Sequence, residues 1–225
     1  MSGEHYFSAH PAGVFAPRHL SVMLTGRPVQ VTTAGGVFSP DRIDAGTSVL
    51  LAAVPAPPPG GHLLDLGCGW GPVALSLGLG SPHANVWAVD VNERALELAR
   101  VNAAALGLDN VTAATPDAVP EDIRFRTIWS NPPIRIGKSE LHHLLRRWLP
   151  RLDRDSDAWL VVQRNLGADS LQRWLESEFS GRARVTRAAT AKGYRVLRVR
   201  WREEDGDVPA SASANDGQPR SMTPE

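Results

Sequence analysis

From residue 62 onward, short apolar runs alternate with longer stretches of helical period. Residues 62–66, 85–89 and 111–114 read as strands, and residues 72–79 as a helix between the first two. In residues 93–106, Leu96, Ala99, Ala103 and Leu106 recur at three- and four-residue steps and share one face, as in an amphipathic helix. Gly107 stands where that helix should stop. Residues 127–130 and 158–163 continue the strands around a helix at 139–149. Strands alternating with helices imply a parallel sheet covered on both faces. The end departs from this rhythm: helix 168–179 leads to two successive strands, 183–188 and 193–201, and their short join allows only an antiparallel hairpin. The expected fold class is α/β, with a mostly parallel seven-stranded sheet, a C-terminal antiparallel hairpin and helices on both faces.

The flanks read differently. Residues 1–35 are punctuated by Pro and Gly, with short extended stretches such as Arg27 to Thr33, where Val29 and Val31 alternate with Gln30 and Thr32. They are expected to form an N-terminal extension packed on a main domain at 36–202. A helical stretch at 44–53 precedes a loop at 54–61 that holds four prolines and two glycines. From Glu203 to Glu225 there is almost nothing to bury, so residues 203–225 are expected to be a disordered acidic tail.

Composition suits a globular chain: 225 residues, 42% in the hydrophobic set and 21% charged. The formal net charge is zero, which taken alone speaks against a nucleic-acid partner, but the charges are unevenly placed. The tail carries six acids and one base, which leaves 23 bases and 18 acids, a net charge of +5, for residues 1–202. Cys68 is the single cysteine, so no internal disulfide forms and a reducing cytoplasm is the expected setting. No metal site is expected: His142 and His143 are adjacent, and neighbours on a helix do not share a face. No apolar run approaches the roughly 20 residues that cross a bilayer, and no membrane partner is expected.

The strongest chemical signal lies where the first core strand passes into a helix. Asp65-Leu66-Gly67-Cys68-Gly69-Trp70-Gly71-Pro72 offers glycines that let a ligand approach the backbone, and helix N–H groups that point outward. Nineteen residues after Gly71, Asp90 ends the next strand, where a carboxylate can accept hydrogen bonds from ribose hydroxyls. A tight turn and a helix cap beside Asn92 would be the bland account of the same residues. A dinucleotide fingerprint would need Gly or Ala at position 72, where this chain has Pro72, a residue suited to the first helical position. Asp65 followed by G-x-G-x-G instead resembles the Rossmann-like class I methyltransferases. There the loop holds the amino-acid end of S-adenosylmethionine, and the resemblance makes that molecule the expected cofactor.

Ser130-Asn131-Pro132-Pro133-Ile134 follows the fourth strand and should lie at the same sheet edge as the glycine loop. Pro132 keeps Asn131 out of the helical region, and two fixed φ angles stiffen the loop. The residue types suit methylation of an exocyclic amine. Its nitrogen lone pair is delocalised into the ring, so acceptors that grip both N–H groups help nitrogen become tetrahedral. The Asn131 side-chain oxygen and the Pro132 carbonyl can be those acceptors, and positioning then supplies much of the rate without a strong base. Aromatic residues commonly follow such a motif; here Ile134 offers an apolar face instead.

With these motifs together the chain resembles the small-subunit ribosomal RNA methyltransferase C family, which methylates N2 of a guanine, and in particular its compact single-domain branch. The resemblance runs from His5-Tyr6-Phe7-Ser8 through Gly36-Val37-Phe38-Ser39 and Asp44-Ala45-Gly46-Thr47 to the glycine loop. It continues in Asp90-Val91-Asn92-Glu93-Arg94-Ala95, in Asn131 to Lys138, in Gln163-Arg164-Asn165-Leu166-Gly167-Ala168 and in Lys192-Gly193-Tyr194. Longer members carry a second, degenerate methyltransferase domain upstream, and this chain has only a short segment in its place.

Carried over by motif, Phe38, Asp44, Thr47 and Asn131 border the cofactor's methionine end. Asp65, Gly67, Cys68, Gly69 and Gly71 form its loop, with Asp90 and Val91 at the next strand end. Asp117 faces the adenine amino group or is a turn residue. Asn131, Pro132, Pro133 and Ile134 hold the reacting base, while Arg135 and Lys138 contact substrate phosphates or belong to a solvated face. Arg195, Arg198, Arg200 and Arg202 in the last hairpin either extend an RNA surface or keep an edge strand soluble.

The expected partner is ribosomal RNA or the small ribosomal subunit, with base flipping to bring the amine into the pocket. Protein-glutamine or DNA adenine N-methylation are the alternatives within enzymes, the former favouring tyrosine after the prolines. A module that binds cofactor or RNA without turnover is the alternative of another class.

Overall fold

The computed structural model describes residues 16–202. The motif at His5 to Ser8 and the expectation of a disordered tail at 203–225 lie outside the described residues.

The chain opens with an antiparallel hairpin of β1 (Arg18–Leu24) and β2 (Arg27–Thr33). Sequence reading found only the second strand. Thr25 and Gly26 connect the two with positive φ at both residues (49° and 76°), the geometry whose twist matches that of paired strands. Then follow α1 (Ala45–Ala53), β3 (Gly60–Leu66), α2 (Pro72–Gly80), β4 (His83–Val89), α3 (Glu93–Ala105), β5 (Val111–Ala114) and β6 (Phe125–Ser130). The second half contains α4 (Lys138–Trp148), β7 (Leu152–Gln163), α5 (Ala168–Glu178), β8 (Ala183–Ala191) and β9 (Tyr194–Trp201).

The main sheet has seven strands in the order β5-β4-β3-β6-β7-β9-β8. Every pairing from β5 to β7 is parallel, and β9 runs antiparallel to both of its neighbours. This is the doubly wound, Rossmann-like arrangement of the class I methyltransferases. The strand order reverses between β3 and β6, so their outgoing loops part and leave a crevice at the C-terminal edge.

Alternation along the strands builds two cores. Leu63, Trp129, Trp159 and Val161 face α1, α2 and α3, packing on Leu50, Val73, Leu77 and Leu96. Leu64, Ile128, Leu160 and Val162 face the other way, onto Leu141, Leu145 and Trp148 of α4 and Leu171 and Leu175 of α5. The hairpin adds a third cluster, with Leu24 and Val31 packed against Trp70, Leu75 and Leu98.

The buried Asn102 joins this hairpin to the glycine loop. Its Oδ1 accepts from Thr32 N (2.6 Å) and its Nδ2 donates to the carbonyls of Thr32 and Trp70 (both 2.9 Å).

Two further details differ from the sequence reading. Strand β7 begins at Leu152, ahead of the apolar run at 158–163, because the charged segment Asp153-Arg154-Asp155 still enters the sheet at an irregular register against β6. And β9, with its alternating arginines, is no edge strand: it lies between β7 and β8. That placement pairs Asp157 of β7 with Arg200 in register, and the Asp157 carboxylate takes two hydrogen bonds from Arg198 (2.8 and 3.0 Å) and one from Arg200 (3.3 Å). These two arginines are spent within the sheet. Arg195 is ion-paired with Asp169.

Candidate active site

A cleft of about 290 Å³ opens at the C-terminal ends of β3, β4, β6 and β7, beside the N-terminal end of the antiparallel β9. Its floor is the loop after β3. The N–H groups of Gly67 and Cys68 both donate to the Val89 carbonyl (2.8 and 3.0 Å), which ties the loop to the end of β4. Gly67 and Gly69 have φ of 80° and 55°, in the left-handed region that favours glycine. A Cβ at Gly69 would meet nothing within 4 Å and one at Gly67 only Pro133 at 4.0 Å, so the space above them belongs to the cleft. Gly71, also left-handed, lies behind the loop, 3.4 Å from the Ala99 side chain by the same measure. Pro72 takes the first helical position of α2.

Asp90 directly follows β4 and lines the cleft. Its carboxylate accepts from Gly69 N and Asn92 N (2.9 Å each), and burial raises its pKa despite those bonds, which act the other way. Asn92 caps α3 and donates to the Gly36 carbonyl (2.8 Å), which ties the segment leading to Phe38 to the start of α3.

Asp65 is buried beneath the loop, and its carboxylate accepts from Ala74 N at 2.8 Å. Burial pushes its pKa up to about 8, helped by the charge of Asp90, while the bond from Ala74 opposes the rise. Such an acid holds its proton more tightly folded than unfolded. Its stabilising effect is complete below pH 3.8 and is lost as the pH rises to about 8. Asp65→Asn keeps an acceptor for Ala74 without this loss. We therefore expect the melting temperature of the variant, relative to the native chain, to rise between pH 5 and 8 in calorimetry without ligand. A pH-independent difference would contradict the assignment. The buried Cys68 thiol is pushed well above its usual range, chiefly by burial, and is no nucleophile at neutral pH.

The loop after β6 forms the second wall. Ser130 Oγ donates to the Leu66 carbonyl (2.6 Å) and holds the end of β6 against the end of β3. Asn131 is then gripped from α1: its Nδ2 donates to Asp44 Oδ2 (2.9 Å) and Thr47 Oγ1 (3.1 Å). Asp44 also caps α1, accepting from Gly46 N (2.7 Å) and Thr47 N (3.3 Å). A carboxylate only accepts, so the Asn131 amide has one orientation, with Nδ2 toward Asp44 and Oδ1 left as a free acceptor. Pro132, the second expected acceptor, takes the Ile134 N–H on its carbonyl (2.8 Å) across Pro133 at φ −73° and ψ 79°, an inverse γ-turn that leaves one lone pair.

Most residues singled out in the sequence meet here. Phe38, Asp44, Gly67, Gly69, Asp90, Val91, Asn131, Pro132, Pro133 and Ile134 line the cleft, and Thr47, Asp65 and Cys68 line a recess beside it. Asp117 does not join them: its side chain is 89% exposed and ion-paired with Arg147 at 2.8 Å, and Pro116 lines the cleft instead. Lys138 is exposed at the start of α4, and the Arg135 side chain lies outside the described residues. Leu144, which sequence reading missed, and Gln163, Leu166 and Tyr194, which it quoted only within motifs and gave no place in the pocket, close the wall on the β7 and β9 side. Tyr194 reaches across to α1, where a Cβ on Gly46 would stand 2.9 Å from its ring, so glycine is needed there. Among the described residues no cluster of metal-ligating side chains occurs, and no helix is long and apolar enough to cross a membrane.

Known proteins share this fold. Residues 28–198 match the family model described as methyltransferase small domain. The Bacillus subtilis protein YbxB is 33% identical over 200 residues, which span 88% of this chain and 98% of that one. The ribosomal RNA small subunit methyltransferase C of Pseudomonas aeruginosa is 37% identical over 133 residues, 58% of this chain and 39% of that protein. Among solved structures, a 16S rRNA N2 methyltransferase from Thermus thermophilus, in complex with AdoMet and guanosine, superposes with a TM-score of 0.73 at 24% identity. That match covers 84% of this chain and 52% of the other, so the chain spans about half or less of these two methyltransferases.

Proposed function

This chain belongs to the methyltransferase small domain family, and from that premise we propose that it transfers a methyl group from S-adenosylmethionine to N2 of a guanine in small-subunit ribosomal RNA. The observation that carries the proposal is the fixed Asn131 amide, whose free Oδ1 faces no competing donor among the described residues.

The chain's residues fit the cofactor. The open backbone above Gly67 and Gly69 takes its methionine end, Asp90 accepts from the ribose hydroxyls, and Val91 and Pro116 give the adenine an apolar slot. When bound, the cofactor supplies a sulfonium methyl group, so the bond formed is nitrogen to methyl carbon and the bond broken is methyl carbon to sulfur. Asn131 Oδ1 and the remaining lone pair on the Pro132 carbonyl accept the two N–H groups of the amine. That grip turns the nitrogen lone pair out of the ring plane and toward the methyl carbon. Neither group is a base, and the proton lost from nitrogen passes to water at the cleft mouth. Ile134, Leu144 and Leu166 supply the apolar face for the base.

Asp44 acts through Asn131. Asp44→Asn retains a cap for α1 but can donate as well as accept, so the Asn131 amide is free to turn over. We expect kcat to fall by about tenfold to a hundredfold with little change in melting temperature. Steady-state kinetics beside a thermal melt would check this, and unchanged kcat would remove Asp44 from the mechanism.

The proposal is tested by tritiated methyl transfer to ribosomal RNA and to small subunits that lack the modification, followed by nucleoside analysis. Label in N2-methylguanosine is expected. Label in methyladenosine, or in methylglutamine of ribosomal protein, would replace the guanine assignment.

A further inference from the structure

The exposed cations around the cleft that carry no ion pair among the described residues gather on one bank. On the β4 side the cleft is lined by Asp90, and beyond it Asp117 is held by Arg147. On the other side, three exposed cations occupy the same sheet edge at successive positions: Lys138 after β6, Arg164 after β7, and Lys192 in the turn before β9. The turn and the loop are joined, because Arg164 N donates to the Gly193 carbonyl at 2.8 Å. Both border cleft-lining residues, Gln163 and Leu166 around Arg164 and Tyr194 beside Lys192. Among the described residues none of these three cations pairs with a carboxylate. The other basic residues nearby are already engaged, Arg187 and Arg195 with Asp169, and Arg198 and Arg200 with Asp157.

Resting on the reading of the cleft as an RNA base-methylation site, we propose that Lys138, Arg164 and Lys192 form a phosphate-binding rim. It holds the single-stranded RNA on either side of the extruded nucleotide. The acceptor strand therefore crosses the β6-β7-β9 bank, away from the Asp90 side of the cleft. Phosphate contacts of this kind position the strand and carry no sequence information. They release counterions, so each adds about 0.7 to the slope of log affinity against log salt for a single strand.

The test compares the native chain with Lys138→Ala, Arg164→Ala and Lys192→Ala combined. Binding to fluorescein-labelled ribosomal RNA is measured by anisotropy across a salt series, with S-adenosylmethionine affinity measured by calorimetry. The triple variant should lose affinity at every sequence tried and show a salt slope smaller by about two units, with cofactor affinity unchanged. The KM for RNA should rise while kcat at saturation holds. An unchanged slope would overturn the rim, as would a preference for an acidic peptide over RNA. The two proposals fail separately. If the native chain makes N2-methylguanosine but the variant binds RNA equally well, the rim falls and the guanine reading stands. If the variant loses the slope but the native chain labels no guanine, the rim stands and the reading falls.

Discussion

Asn131→Ala is expected to lower kcat for methyl transfer by about a hundredfold to a thousandfold, the range seen when one preorganised hydrogen-bonding partner is removed from a reacting centre. The reason is geometric. In the proposed mechanism only the Pro132 carbonyl would then hold the amine, and that carbonyl already serves the Ile134 N–H. Cofactor affinity should stay within a few-fold, because the glycine loop and Asp90 are held by their own hydrogen bonds to β4 and α3. Single-turnover kinetics separates the two quantities. Asn131→Asp is the informative companion: a carboxylate at 131 would face that of Asp44 where the amide N–H now sits, and like charges there should displace the side chain.

The second large effect belongs to Asp90→Ala. Hydrogen bonds to a charged acceptor are each worth about 1.5–3 kcal/mol, and two lost to the ribose would raise the Kd for S-adenosylmethionine by about a hundredfold or more. The variant also releases the N–H groups of Gly69 and Asn92, so the loop loosens in the same step. Asp90→Asn preserves an acceptor for one of these donors and should fall between the two. Calorimetric titration checks the series, and a Kd within threefold of native for the alanine variant would contradict the assignment of Asp90 to the ribose.

The fold was legible wherever local pattern and tertiary role coincide. The run of short apolar strands and the helical period of α3 both follow from burial on two faces, and the glycine loop with Asp90 carries its own geometry in its residue types. Strand β1 escaped because its alternation of Leu20, Val22 and Leu24 is brief and half exposed, with only Leu24 fully buried. The start of β7 escaped for the opposite reason: Asp153 to Asp155 look like a turn and are carried into the sheet by pairing that sequence does not announce.

The site was legible in its motifs and not in their contacts. Asn131 and Asp44 lie 87 residues apart, and nothing local to either says that one fixes the amide of the other. Gln163, Leu166 and Tyr194 enter the cleft because β6, β7 and β9 are neighbours, an order that only the assembled sheet reveals. The arginines of β9 mislead for a related reason. An alternating basic strand reads as a nucleic-acid surface or a soluble edge until its neighbour β7 presents Asp157. Lys138, Arg164 and Lys192, which pair with no carboxylate among the described residues, are scattered in sequence and are brought to one sheet edge by the strand order.

The most direct test of the central claim is nucleoside mass spectrometry of small-subunit ribosomal RNA from cells that lack this protein, complemented with the native chain or with Asn131→Ala. Guanine N2 methylation through a fixed Asn131 predicts a loss of N2-methylguanosine in the deletion strain, restored by the native chain and not by the variant. An unchanged N2-methylguanosine content in the deletion strain, or full restoration by Asn131→Ala, would contradict it.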